Sequence, residues 1–146
     1  MLHYFDDFLF IGKPASLECQ TVATHFIALY AQSGVPLAAN EVEGPSTRLT
    51  VLGIVIDSVT QTVSLPGGKA EEYLNDLLFW RSKTECSRVK LQSIFGKLQF
   101  AARCVPAGRL FFRPIIYLLK CTVGSVIILD HNFVLDLEWW IFFIPK

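Results

Sequence analysis

The period of the apolar residues changes at Pro66-Gly67-Gly68, and that change restricts the fold more than any other feature of the chain. Upstream, Leu52, Ile54 and Ile56 alternate with Gly53, Val55 and Asp57, and Val59, Gln61, Val63 and Leu65 then alternate with Thr60, Thr62 and Ser64. Alternation puts successive side chains on opposite faces of a strand, so Arg48 to Leu65 is expected to form a hairpin with its turn near Asp57-Ser58. Downstream, apolar residues recur every third or fourth position, as on one face of a helix. Within 69–80 these are Ala70, Tyr73, Leu74, Leu77 and Leu78. Ser87 is placed to cap a helix carrying Leu91, Ile94, Phe95, Leu98, Ala102 and Val105. Gly96 inside that helix predicts a close contact with a neighbouring helix, since glycine costs about 1 kcal/mol relative to alanine there. Pro106 to Gly108 ends the helix, Arg109 to Lys120 is expected to form another, and Val134 to Ile144 a last one. The expected class is α+β, with strands in 1–66 and an all-helical region in 67–146.

The N-terminal region adds a second strand pair. Leu2 to Gly12 reads as two short strands around Asp6-Asp7, the second of which, Phe8-Leu9-Phe10-Ile11, is apolar without interruption and should be buried on both faces. A helix is expected from Ser16, its N-cap, with Glu18 in the first turn, to about Ser33, where Gly34 closes it. Its stripe is Leu17, Val22 or Ala23, Phe26, Ile27, Leu29 and Tyr30.

Composition narrows the class of protein. With 52% hydrophobic and 18% charged residues the 146-residue chain is not intrinsically disordered. Its four cysteines (Cys19, Cys86, Cys104, Cys121) contain no CxxC pair, which points to reduced thiols in an intracellular, cytoplasmic or nuclear protein. Asp6 and Asp7 come too early for a signal peptide, so secretion is not expected. The most apolar stretch, Leu110 to Leu129, is broken by Arg113, Pro114, Lys120 and Gly124, so no membrane span or membrane partner is expected. The overall charge of zero hides an asymmetry. Residues 1–68 hold two basic and six acidic side chains, whereas 81–120 holds nine basic residues and one acid, Glu85. An acidic end followed by a basic, aromatic-rich stretch suggests metal chemistry beside a polyanion.

The chemistry concentrates in Tyr4-Phe5-Asp6-Asp7. Adjacent carboxylates at a hairpin tip repel each other, and a divalent cation relieves the repulsion. Phosphoryl-transfer enzymes hold two such cations about 3.5–4 Å apart between carboxylates.

At this point the sequence resembles the reverse transcriptases. His3-Tyr4-Phe5-Asp6-Asp7-Phe8-Leu9-Phe10-Ile11-Gly12 is similar to the tyrosine-x-Asp-Asp catalytic hairpin of their palm. Gly44-Pro45-Ser46 followed by Leu52-Gly53-Ile54-Val55-Ile56-Asp57 resembles the hairpin that grips the primer. Leu91-Gln92-Ser93-Ile94-Phe95-Gly96-Lys97-Leu98-Gln99-Phe100-Ala101, running into Val105-Pro106-Ala107-Gly108-Arg109, resembles the thumb and connection helices; with Asp136-Leu137-Glu138-Trp139-Trp140 it is most similar to retrotransposons of the DIRS type.

The resemblance implies a partial polymerase palm (catalytic hairpin, helix, primer-grip hairpin) in 1–66 and a helical thumb and connection in 67–146. It implies Asp6 as a catalytic metal ligand with Asp7 as a second carboxylate, two Mg²⁺ ions in the complete site, and Tyr4, Leu52 and Gly53 positioning the primer. Lys90, Lys97, Arg103 and Arg109 are candidates for phosphate contacts. The implied partners are an RNA/DNA template-primer and deoxynucleoside triphosphates, and the implied reaction is RNA-directed DNA synthesis. The family also needs an Asp from an earlier palm strand and a fingers region, and Met1 stands immediately before the catalytic hairpin. The chain alone is therefore expected to bind Mg²⁺ weakly and not to polymerise, with palm edges open to association. The alternative is a non-enzymatic nucleic-acid-binding remnant of a decayed retrotransposon.

Overall fold

Strands β1 (Leu2–Tyr4) and β2 (Asp7–Leu9) pair antiparallel with Leu2 opposite Leu9, His3 opposite Phe8 and Tyr4 opposite Asp7. The computed structural model describes residues 2–5, 7–38, 42–122 and 124–144. These fall into two units that divide between Thr62 and Val63, four residues before the boundary expected at Pro66.

In the first unit, helix α1 (Glu18–Gln32) lays a half-buried stripe of Cys19, Ala23, Phe26 and Tyr30 against the hairpin. Phe8 meets Phe26 at 4.6 Å and Tyr30 at 5.7 Å between ring centroids, and Phe10 meets Phe26 at 5.2 Å. Offset aromatic pairs of this kind add to area burial. Two expectations are corrected here. Strand β2 is not buried on both faces, because β1 is its partner in a two-stranded sheet and Phe8 and Leu9 are half-buried. Ser16 is not the N-cap: its hydroxyl donates to the Lys13 carbonyl in the preceding turn, and Leu17 opens the helix without a side-chain cap. The far end follows the expectation at Gly34. Gly34 at φ +72° lets its own N–H donate to Ala31 and that of Val35 donate to Tyr30, satisfying two terminal carbonyls.

Strand β3 (Arg48–Val51) pairs antiparallel with β4 (Ile54–Asp57), and β5 (Thr62–Ser64) follows as the third strand, in the order β3-β4-β5. The expected single hairpin turning near Asp57-Ser58 is thus a three-stranded meander with an earlier turn at Leu52-Gly53. Both turn residues are left-handed, at φ +51° and +72°. That combination defines the tight two-residue turn whose twist matches the flanking strands.

In the second unit, α2 (Gly67–Arg81), α3 (Arg88–Ala101), a short 3-10 helix (Gly108–Phe112), α4 (Arg113–Cys121) and α5 (His131–Phe143) surround one apolar core. Leu77, Leu91, Leu98, Phe133, Leu137 and Trp140 are wholly enclosed. Ser87 caps α3 as expected, accepting from the Lys90 N–H, and Asp130 caps α5 by accepting from Phe133. The region is not all-helical: β6 (Glu85–Ser87) pairs antiparallel with β7 (Val126–Ile128), seating Ile127 in the core opposite Cys86. On α2 the buried line runs through Tyr73, Leu77 and Trp80, so Leu78, expected inside, is exposed. Gly96 is corrected as well, because a Cβ there would meet open space rather than a neighbouring helix. Arg88 donates through both terminal nitrogens to the carbonyls of Leu119 and Thr122, closing the C-terminal end of α4. Among the described residues no helix is long and apolar enough to cross a membrane.

Candidate functional site

Because Tyr4 pairs with Asp7, the connection between β1 and β2 is two residues long. Phe5 adopts φ +53°, a region that costs a bulky side chain energy and is held only when its surroundings demand it. Tyr4 is 58% exposed and Phe5 81% exposed, the two rings meeting edge to face at 4.8 Å. Tyr4 is therefore not a core residue, and Asp7 is exposed beside it. Asp6 lies outside the described residues. Among the described residues no three His, Cys, Asp or Glu side chains are gathered as a metal ion would require.

Leu52 and Gly53 occupy the tip of the β3-β4 hairpin, where Leu52 is 41% exposed. Both expected primer-positioning elements thus sit on two-residue turns that force a large side chain, Phe5 or Leu52, into left-handed backbone. Among the described residues no hydrogen bond, ion pair or ring contact joins the two tips. The next turn is built by Asp57, whose Oδ1 accepts from the N–H groups of Val59 (2.9 Å) and Thr60 (3.0 Å). These bonds, that of Thr60 foremost, hold its carboxyl below the ordinary value. Asp57 is a turn residue, and the hydroxyl and N–H of Ser58 tie the same turn to the Thr47 carbonyl.

The basic residues divide by what they touch. Lys97 donates to Glu72 (2.6 Å) and Asp76 (2.5 Å), carboxylates one turn apart on α2. The bond to Asp76 and then that to Glu72 raise its pKa. Its charge is already matched inside the molecule, so it is the weakest of the four phosphate-contact candidates. Arg88 is committed to the α4 carbonyls, and Arg81 pairs with Glu138 at 3.2 Å. Lys90, Arg103 and Arg109 are exposed and form no ion pair among the described residues. Arg103 and Lys69 both lie over the Phe100 ring, at 5.6 and 4.4 Å from its centroid.

A further group was legible in the sequence and was not singled out there. Arg113, Tyr117 and Lys120 share the outward face of α4 at spacings of four and three. Their signal was the helical period applied to polar rather than apolar residues.

The motif blocks at 105–109 and 136–140 meet each other. A Cβ on Gly108 would lie 2.3 Å from Cη2 of Trp140, Phe112 stacks on that indole at 5.6 Å, and Phe111 stacks on Trp139 at 3.9 Å. These residues build the core of the second unit. Burial also pushes the thiols of Cys86 and Cys104 up, away from the reactive thiolate. No family model, curated protein or solved structure matches this chain.

Proposed function

We propose that the chain is the C-terminal part of a reverse transcriptase palm followed by its thumb and connection region, from a retrotransposon most similar to the DIRS type. The observation that carries this reading is the exposed two-residue hairpin pairing Tyr4 with Asp7, followed in order by a helix and a second two-residue hairpin at Leu52-Gly53. In a complete enzyme Asp6 and Asp7 would contribute carboxylate oxygens to two Mg²⁺ ions, which activate the primer 3′-hydroxyl and stabilise the leaving pyrophosphate. Tyr4 and Leu52-Gly53 would hold the primer end, and Lys90, Arg103 and Arg109 would contact phosphates of the template-primer.

The reading predicts that residues 1–146 on their own do not polymerise, since the family's metal site draws on a further Asp strand. Purified protein supplied with an RNA-DNA template-primer, dNTPs and Mg²⁺ should incorporate nothing; incorporation that disappears in Asp6→Asn would overturn that statement. Duplex binding should weaken steeply with salt and weaken further in a Lys90→Ala, Arg103→Ala, Arg109→Ala triple variant. Exposure of those three cations also favours a second reading, a non-enzymatic nucleic-acid-binding remnant. In that case upstream coding sequence would lack the Asp-bearing strand, whereas an open frame encoding it would support the polymerase.

A further inference from the structure

The outward face of α4 carries Arg113, Tyr117 and Lys120 on successive turns, a stripe about 10.5 Å long from first to last at the rise of an α-helix. Tyr117 is 63% exposed, and neither cation forms an ion pair among the described residues. Beside the stripe lies a shallow open cleft of about 500 Å³ that Tyr117 and Arg113 share with Leu110, Pro114 and Leu135, with Asp130 at the start of α5 and with Asp136 within it. Its two sides have opposite chemistry. Arg113 in its lining attracts phosphate, as does Lys120 farther along α4. The two carboxylates repel phosphate from the cleft, and their oxygens not already engaged or enclosed can accept from the N–H groups of a base. Oδ2 of Asp136 is shielded from solvent and has no hydrogen-bond partner among the described residues. Burial and the neighbouring Asp130 raise the Asp136 carboxyl, as expected of an acceptor short of donors.

We infer that this face binds single-stranded nucleic acid, with the backbone along Arg113 and Lys120 and a base stacked on Tyr117 at the mouth of the cleft. Alternation of cations with an exposed ring is how strands are held without sequence preference, since every base has a face to stack. A paired duplex keeps its bases inside and offers this ring nothing. The inference rests on the proposed function only in taking nucleic acid as the partner; it assigns unpaired strand to α4, separately from the duplex contacts given to Lys90, Arg103 and Arg109.

The test is anisotropy of a fluorescein-labelled oligothymidylate with the full chain over a salt series, next to an RNA-DNA duplex of equal length. Tyr117→Ala should lower affinity for the single strand about fivefold or more, and Tyr117→Phe should retain it. Arg113→Ala with Lys120→Ala should reduce the slope of log K against log salt by about 1.4, since each single-strand phosphate contact contributes about 0.7. Duplex binding should change little in either variant. Unchanged thermal melts confirm folding, as expected for exposed side chains. The inference is overturned if the single strand fails to bind, if Tyr117→Ala leaves its affinity unchanged, or if these variants weaken the duplex equally. Loss of duplex binding in the Lys90/Arg103/Arg109 variant with single-strand binding intact would separate the two surfaces. Failure of both ligands would remove both readings.

Discussion

The two units bury their apolar residues very differently. Among the described residues of the first unit, Val55, still 8% exposed, is the one apolar side chain that is buried, and α1 buries none. Tyr4, Phe5, Ile11, Leu17, Val22 and Leu29 all face solvent there. In the second unit every helix and the β6-β7 ribbon send side chains into one core. Helix α1 is covered along one half-buried line, Cys19, Ala23, Phe26 and Tyr30, and the rest of its apolar surface beside the two-stranded sheet stays open. The second unit encloses a core of its own, although Phe79, Leu110 and Ile128 remain exposed on it. Hydrogen exchange should reflect this, with amides of α2, α3 and α5 opening only on global unfolding of their unit and those of α1 opening locally.

Substitutions can sharpen or break this contrast. Trp140→Ala should destabilise the second unit by about 3–5 kcal/mol, read by chemical denaturation, and leave exchange in α1 unchanged. If α1 exchange rises in step, the two units are not independent in stability. Gly108→Ala forces a methyl into the same indole and should cost about 1–3 kcal/mol. Lys97→Met strands Glu72 and Asp76 as like charges one turn apart, and should cost about 0.5–1 kcal/mol, discounted for solvent. Because the partners raise the Lys97 pKa, that contribution is present below its usual value of 10.5 and is lost as pH rises through the folded value. Gly96→Ala should stabilise α3 by about 0.5–1 kcal/mol, since the position is open and helical. No gain would mean that something covers Gly96 in solution.

Most local signals were readable in the sequence, the Ser16 cap and the Leu52-Gly53 turn excepted, and other failures arose where distant residues decide. Ser87 and Gly34 marked helix ends because caps act on their own neighbours. The β6-β7 ribbon escaped because three-residue strands some forty positions apart leave no periodic trace. The Leu52-Gly53 turn was hidden because leucine is poor turn chemistry and the apolar alternation runs straight through it. Asp57 looked the better turn residue and does build the next one. Of the candidate site, the Tyr4-Asp7 hairpin and the Leu52-Gly53 motif were legible as sequence. The pairing of Lys97 was not legible because the carboxylates that hold it lie twenty-one and twenty-five residues away.

The bonds from Arg88 to Leu119 and Thr122, with the β6-β7 pairing, also bear on how the protein is made. They join the start of α3 to the segment just beyond α4, so the intervening 3-10 helix and α4 lie inside a closed loop. During synthesis α2 and α3 emerge well before the residues that complete their core, Ile127, Phe133 and Trp140. A nascent chain must therefore carry Leu77, Leu91 and Leu98 uncovered until α5 has been translated, an interval in which chaperone capture competes with folding.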